Sequence, residues 1–203
     1  MISKASRINN HGRAKLFDHP LLEQLTKAHP LLIWGMYTCI NYVMIQLAID
    51  NGKLRTAQIL YWLLLGFIAW TLAEYLIHRY IFHYEPRSIL GKRIHYLFHG
   101  NHHAFPRDRD RLFMPPIPSL LIASFFFAIF YGLLGTRAYA FFPGFMFGYL
   151  IYGTIHYAIH AFSPPFKWMK PLWRNHHLHH YKDGNKGFGV SSTFWDRVFG
   201  TMF

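Results

Sequence analysis

The sequence predicts an all-α integral membrane protein with four transmembrane helices and a histidine-rich region at one membrane surface. Two observations indicate the membrane: 52% of the 203 residues are hydrophobic and 19% are aromatic, more than an ordinary soluble domain contains. A third observation, the gathering of histidines next to apolar runs, indicates the histidine-rich region. The single cysteine, Cys39, lies inside an apolar run, which excludes disulfides and cysteine-based zinc sites.

Four apolar stretches have the length of about 20 residues that a helix needs to cross the hydrocarbon layer. They are residues 31–49, 58–77, 117–134 and 139–155. Glu74 is their only charged residue, and Pro143 interrupts the fourth stretch. The alternative is that some of these stretches are buried helices of a large soluble core.

The charge distribution predicts the topology. The net charge is +12, which fits either nucleic acid or an anionic membrane face, but the basic residues form no nucleic-acid motif and flank the apolar runs. Of the 21 Lys and Arg residues, 18 fall before residue 31, in 78–116, or after residue 155. By the positive-inside rule, both termini and the 78–116 segment are therefore cytoplasmic. We expect no nucleic-acid partner and no cleaved signal peptide.

We divide the chain into two parts on this pattern. Residues 1–30 form a cytoplasmic N-terminal arm, and residues 31–203 form the membrane domain. The arm should contain a short helix that lies in the membrane interface. Its apolar residues are Leu16, Phe17, Leu21, Leu22 and Leu25.

Twelve of the fifteen histidines lie between residues 78 and 180, in the motifs HRYIFH, HYLFHGNHH, HYAIH and NHHLHH. Residues three and four apart share one face of a helix. This spacing predicts one patch from the HxxHH series that ends at His103 and another from the series that ends at His180. His78 and His83 are five residues apart, so we expect them to reach different ions or to lie where a helix ends.

Any one of these histidines alone is more often a packed or surface residue than a metal ligand. Clustering at helical spacing favours metal binding, and ten imidazoles exceed the four to six ligands that one ion accepts. We therefore predict two neighbouring ions with about five ligands each. The candidate ligands are His78, His83, His99, His102, His103, His156, His160, His176, His179 and His180. The remaining histidines, His95 and His177 among them, are expected behind the ligands or at the surface.

Neutral imidazole suits several metals, so the ligand type does not select one. The position of the motifs at the cytoplasmic ends of apolar helices indicates a reaction on a lipid chain. An alkyl carbon has no leaving group and no acidic proton, and only oxidation by activated dioxygen addresses it. This chemistry favours two iron ions, with dioxygen as co-substrate, although zinc can occupy such sites in recombinant preparations.

Longer motifs carry a resemblance to a known family. EYLIHRYIFH, HYLFHGNHHAFPRDRDRLFMPP, GYLIYGTIHYAIH and NHHLHHYKDGNKGFGVSSTFWDRVFGT resemble the successive motifs of the fatty acid hydroxylase and sterol desaturase superfamily, from Glu74 to Phe203. Within it they are most similar to the fatty acid 2-hydroxylases that act on sphingolipids. The resemblance implies four spans, a cytoplasmic cap with a di-iron centre held by the ten histidines, and hydroxylation at the 2-position of a long acyl chain, free or amide-linked in ceramide.

The longer members of this family carry an N-terminal haem cytochrome domain, and no HPGG segment of that domain occurs here. We therefore expect a separate electron-donor protein of cytochrome or ferredoxin type. The same difference leads us to expect a bacterial inner membrane rather than the endoplasmic reticulum.

Other residues have two interpretations each. Glu74 and Asp183 either orient a metal ligand from behind or are solvated carboxylates. Arg107, Asp108 and Arg111 are candidates for anchoring the polar head of the substrate. The aromatic run 125–127 is expected to face lipid or to pack, rather than to line an acyl tunnel. FWDRVFG near the C-terminus is either a substrate lid or an interfacial anchor.

Two alternative functions stay open. A sterol or carotenoid oxidase of the same superfamily would use the same histidines on a different lipid. A membrane metal transporter or metal-storage protein would place ionisable ligands along a path through the membrane. The spans hold almost no such groups, and the histidines gather at one end, which disfavours transport.

Overall fold

The computed structural model describes residues 8–203, and every regular element among them is helical. The first seven residues of the predicted arm lie outside the described part. Nine α-helices occur in it: α1 Pro20–Gln24, α2 Pro30–Asp50, α3 Thr56–Leu76, α4 Ile89–His95, α5 Asn101–Ala104, α6 Pro116–Leu134, α7 Ala138–Ala161, α8 Lys170–Tyr181 and α9 Phe194–Val198.

Three helical stretches are long and apolar enough to cross a membrane, as expected of a membrane protein. They are Pro30–Asp50, Thr56–Phe82 and Arg109–Ala161, of 21, 27 and 53 residues. The third contains both α6 and α7, which are separated by a single 3₁₀ turn at Gly135–Arg137. Pro143 does not interrupt α7; it lies in the second turn, where a proline removes only one backbone hydrogen bond, and it is fully buried.

α7 is the central helix of the bundle and contains more buried residues than any other described helix. Trp34 Nε1 near the start of α2 donates to Thr154 Oγ1 near the end of α7 over 2.9 Å, so these two helices are antiparallel. Aromatic pairs such as Phe130 with Phe141 show that α6 is also antiparallel to α7. The start of α2, the start of α6 and the end of α7 therefore lie at one end of the bundle.

α3 and α7 touch through their backbones. A Cβ atom added at Gly66 would lie 2.0 Å from the carbonyl oxygen of Phe141, and one added at Gly144 would lie 2.0 Å from the carbonyl oxygen of Leu63. Only glycine permits this approach. Trp70, one turn further along α3, packs against Gly148, so the two helices are parallel and end side by side.

The short helices form a cap at the end of the bundle where α3 and α7 finish. The C-terminal segment returns to α3, where the Tyr75 and Thr201 hydroxyl groups lie 3.0 Å apart and Trp195 Nε1 donates to Thr71 Oγ1. The described part of the arm lies against the cap as well, through the backbone hydrogen bond from Asn9 to Ala104. The predicted arm helix is short, Pro20–Gln24 only.

Candidate metal centre

The structure brings the ten predicted histidines together in two groups of five. In each group, one ring nitrogen of every residue lies within 4.8 Å of the others. The rim group contains His78, His83, His99, His103 and His179, of which His83 and His103 are partly exposed. The buried group contains His102, His156, His160, His176 and His180, all of them buried.

The two predicted patches do not correspond to the two groups. His102 lies in the buried group although its neighbour His103 lies in the rim group, and His179 and His180 separate in the same way. Adjacent residues on a helix point about 100° apart, so each HH pair reaches to either side. The sequence motif is therefore shared between the groups.

His78 and His83 lie in the same group because the helix widens between them. Residues Ile77–Phe82 form a π-helical turn, and the His83 N–H donates to the His78 carbonyl five residues earlier, over 3.2 Å. The wider turn carries His83 back over His78, and the helix ends there. Of the two alternatives that the spacing left open, the structure contains the helix end, and it places both histidines in one group.

Distances between ring nitrogens test whether an ion fits. Neighbouring Nε2 atoms are 3.0 Å apart in His83–His179, 3.2 Å in His83–His99, 2.9 Å in His99–His103, 2.9 Å in His102–His156, 2.9 Å in His160–His176 and 3.1 Å in His176–His180. For nitrogen–metal bonds of about 2.1 Å, ligands at right angles have nitrogens about 3.0 Å apart, and tetrahedral ligands about 3.4 Å apart. Both groups thus fit an ion with five or six ligands.

Burial keeps these imidazoles neutral. Burial, together with repulsion from His179 and His95, lowers the pKa of His83 to about 3, and burial lowers the pKa of His179 to about 4. Burial, followed by repulsion from other histidines, also holds the pKa of five more well below the usual range: His99, His102, His103, His176 and His180. A neutral imidazole has a free lone pair, which is the form that binds a metal.

Backbone carbonyl groups orient several of the rings. His78 Nδ1 lies 2.5 Å from the Phe188 carbonyl oxygen, and His179 Nδ1 lies 2.7 Å from that of Lys186. Donation from Nδ1 leaves Nε2 as the acceptor that faces the group. In the described part of the chain, the buried Nε2 atom of His78 has no hydrogen-bond partner, as expected of a ligand atom.

Two buried carboxylates hold the loop that supplies the Phe188 carbonyl. Asp196 accepts the N–H groups of Phe188 and Gly189 at 2.9 and 2.8 Å. Glu74 accepts the N–H groups of Val190 and Ser191, both at 2.8 Å. Glu74 therefore acts on the ring of His78 through this loop.

Sequence reasoning missed Asp196. The one available signal was an acidic residue set among the aromatic residues of FWDRVFG. Asn175, also missed, donates to the Asp196 carboxylate over 3.2 Å.

The other residues expected behind the ligands have different positions. Asp183 accepts from the Asn185 N–H over 2.9 Å and so shapes the turn that ends at Lys186. His95 Nε2 lies 2.7 Å from the Phe82 carbonyl, directly before His83. His177 is half-buried, its pKa is lowered by burial, and its ring centre is 6.4 Å from that of His160.

Arg107, Asp108 and Arg111 are not gathered around one point. Asp108 and Arg111 form a buried ion pair of 2.7 Å, and Asp108 also accepts the Ala14 N–H of the arm. Arg111 pairs in addition with Glu23 of α1. This network clamps the arm to the cap, whereas Arg107 is exposed.

A cavity of about 860 Å³ lies between the bundle and the cap. Its wall is mostly apolar, but His99 of the rim group and His102 and His156 of the buried group line it, as does Arg111. Phe125 and Phe126 line it too, although the sequence favours packing or lipid contact for them. The volume lies within the range of small-molecule and cofactor sites, and an apolar chain in this cavity would meet both histidine groups.

Comparison with known proteins agrees with this geometry. The family model described as fatty acid hydroxylase matches residues 63–201. The ceramide very long chain fatty acid hydroxylase SCS7 of Saccharomyces cerevisiae is 38% identical over 94% of this chain and 50% of its own length. The dihydroceramide fatty acyl 2-hydroxylase FAH2 of Arabidopsis thaliana is 34% identical over 93% of this chain and 79% of its own length.

A solved structure of full-length scs7p, in which only the hydroxylase domain is visible, has a TM-score of 0.86 and 36% identity. The match covers 95% of this chain and 73% of the scs7p chain. The chain spans about half the length of the yeast relative that it matches. These relatives come from eukaryotes, so the comparisons do not support the expected bacterial inner membrane.

Proposed function

Since the chain belongs to the fatty acid hydroxylase family, we propose that it is a membrane monooxygenase that hydroxylates a long acyl chain at the 2-position. The acyl chain is a free fatty acid or the N-acyl chain of a ceramide. The observation that carries this proposal is the apolar cavity whose wall includes histidines of both groups. The reaction consumes dioxygen, two electrons and two protons; one oxygen atom enters the C–H bond as a hydroxyl group and the other leaves as water.

The ten histidines of the two groups are the proposed ligands of two iron ions. Iron, when bound, supplies the redox chemistry that activates dioxygen. The chain contributes neutral imidazoles that burial keeps unprotonated, and carbonyl groups that fix the rings of His78 and His179. Zinc in an inactive recombinant preparation is compatible with this assignment.

The position of hydroxylation follows from where the polar head is held. Of the three head-group candidates, Arg111 lines the cavity, and Asp108 holds its guanidinium in place. A carboxylate or amide carbonyl anchored near Arg111 would leave the adjacent carbon closest to the histidine groups. The apolar wall of the cavity excludes water from the rest of the acyl chain.

The proposed topology has four crossings, with both termini and the cap on the cytoplasmic side. It treats α6 and α7 as a hairpin of two spans, which agrees with their antiparallel packing. A reporter fused after Phe203 should be cytoplasmic, whereas one inserted near Gly52 should not. Both reporters on the same side would contradict the four-span arrangement.

A separate electron-donor protein of cytochrome or ferredoxin type completes the proposal, because the reaction needs two electrons that neither the acyl chain nor dioxygen supplies. Its identity can be tested by reconstituting turnover with purified donors of each type.

Labelled dioxygen tests the reaction itself. We expect one heavy oxygen atom at the 2-position of an acyl chain, and no label from heavy water. His102→Ala serves as the control and should give no product. Product with oxygen at a mid-chain carbon, or on a sterol or carotenoid ring, would refute the substrate assignment.

A further inference from the structure

The amphipathic face of α4 is not explained by the spans or by the core. α4 and the π-helical turn that follows it cover Ile89–Gly100, too short to cross a membrane. Leu90, Ile94 and Leu97 nevertheless remain exposed, at 68%, 47% and 37%. Their spacing of four and three residues places them on one side, which we call the α4 face.

Basic residues lie on the other side and at the edge of the same helix. Lys92 is exposed and points about 160° away from Leu90 and Ile94 on the helical wheel, whereas the exposed Arg93 lies beside Leu97 at the edge of the α4 face. An apolar stripe with a lysine opposite it and an arginine at its edge is typical of a helix that lies in a membrane interface, with its cations among phosphate head groups. The α3 span ends at Phe82, only six residues before α4 begins, so this helix lies at the end of a membrane-crossing segment.

The α4 face is continuous with the cavity. Ile94 and Leu97 line the cavity from the α4 side, and Ile122 and Phe125 line it from α6. All four side chains are exposed and the cavity is not enclosed, which places an opening to the surface between α4 and α6. This opening, which we call the lateral mouth, is bordered by apolar side chains.

We propose that the α4 face lies in the interfacial layer of the bilayer and that the lipid substrate enters the cavity sideways through the lateral mouth. The occupant of the α4 face is the membrane itself, with acyl chains against Leu90 and Ile94 and head-group phosphates against Lys92 and Arg93. The route of the substrate rests on the proposed hydroxylase function. The placement of α4 does not.

Spin labels test the placement. In the Cys39→Ser background, labels at Leu90→Cys and Ile94→Cys are compared with one at Lys92→Cys, a matched position on the opposite side of α4. The protein is reconstituted into vesicles of phosphatidylcholine with phosphatidylserine. Labels at positions 90 and 94 should collide with oxygen more often than the label at position 92. They should also collide with a water-soluble nickel chelate several-fold less often than that label. Equal exposure of all three to nickel would overturn the placement.

A photoreactive fatty acid tests the route. Cross-links should form at Leu97 and Ile122, and excess unlabelled long-chain fatty acid should remove them. Labelling of Leu64, exposed on the lipid side of α3, should resist this competition. Competed labelling confined to Leu16 and Phe17, which line the arm side of the cavity, would overturn the lateral route. Failure of either test leaves the product analysis unaffected, and absence of 2-hydroxy product leaves both tests unaffected.

Discussion

The rim group and the buried group contain the same number of imidazoles, yet they are built differently. The buried group takes four of its five rings from the long helices α7 and α8, and all of them are shielded from solvent. The rim group takes His83 from a helix end, and two of its rings are partly exposed. Two groups with the same number of imidazoles thus have unequal access to water.

The rings are also held in place by different means. In the rim group, the carbonyl groups of Phe188 and Lys186 orient His78 and His179. In the buried group, the Nδ1 atoms of His102, His176 and His180 have no hydrogen-bond partner among the described residues. His156 is the exception, with its Nδ1 atom 3.4 Å from the Leu112 carbonyl oxygen. Helix packing therefore orients three rings of the buried group, whereas a loop orients two rings of the rim group. The predictions below test the two groups and the differences between them.

Removing one ligand from each group should have the largest effect. His102→Ala in the buried group and His179→Ala in the rim group should each lower activity by about a thousand-fold or more, since even partners behind a ligand cost 10–100-fold. Elemental analysis should give two ions in the wild type and one in each variant. One ion or none in an active wild-type preparation would refute the two-ion assignment.

Acid should release both ions and destabilise the metal-free protein. The folded-state pKa of His83 is about 3, against about 6.5 unfolded, so the unfolded chain alone takes up a proton between these values. The stability of the metal-free protein should be highest above pH 6.5 and fall steadily as the pH drops toward 3. Denaturant unfolding at pH 8, 6 and 5 measures this. A free energy of unfolding that stays constant over that pH range would contradict the burial of His83 in its neutral form.

Asp196→Ala should affect the rim group alone. It frees the N–H groups of Phe188 and Gly189 and loosens the carbonyl that orients His78, which should weaken binding of the rim ion by about 10–100-fold. Metal titration should resolve one weakened site and one unchanged site. Asp196→Asn, which retains an acceptor oxygen, is the matched control and should weaken binding of the rim ion less. Equal weakening of both sites would show that the groups are not independently oriented.

A chelator should remove the two ions at different rates. Because His83 and His103 are partly exposed, the rim ion should leave roughly ten times faster than the buried ion. Metal content followed over time should then show two phases of equal amplitude, and His179→Ala should lack the fast phase. A single phase in the wild type would contradict the difference in access.

His177→Gln should have the smallest effect. His177 belongs to neither group although it lies beside His176 in sequence. We expect two ions per chain and activity within about twofold of the wild type, as for a partly exposed residue away from a critical contact. Loss of an ion in this variant would place His177 among the ligands.

Much of the fold was predictable because apolar length alone specifies a helix in lipid. The stretch 117–134 corresponds to α6 within one residue, and 58–77 to α3. The continuation of α7 through Pro143 was not foreseen, because only the packed structure shows that the proline lies early in the helix and in the core.

The ten histidines were identified from spacing, but their division between the groups was not. Helical periodicity assumes 3.6 residues per turn, and the π-helical turn before His83 breaks that assumption. The contacts that Asp108 and Arg111 make with the arm could not be predicted for another reason. Their partners Ala14 and Glu23 are more than 80 residues away in sequence, at a separation that no local pattern reveals.

Membranes differ in thickness, and a spanning helix adapts by tilting or by sliding against its neighbours. The contact between Gly66 and Gly144 restricts that freedom, because backbone pressed against backbone leaves no flexible side chains on which to slide. α3 and α7 should therefore tilt together as one rigid unit. His78 lies at the end of one helix and His156 near the end of the other, so the spacing of the two groups should be the same in thin and thick bilayers.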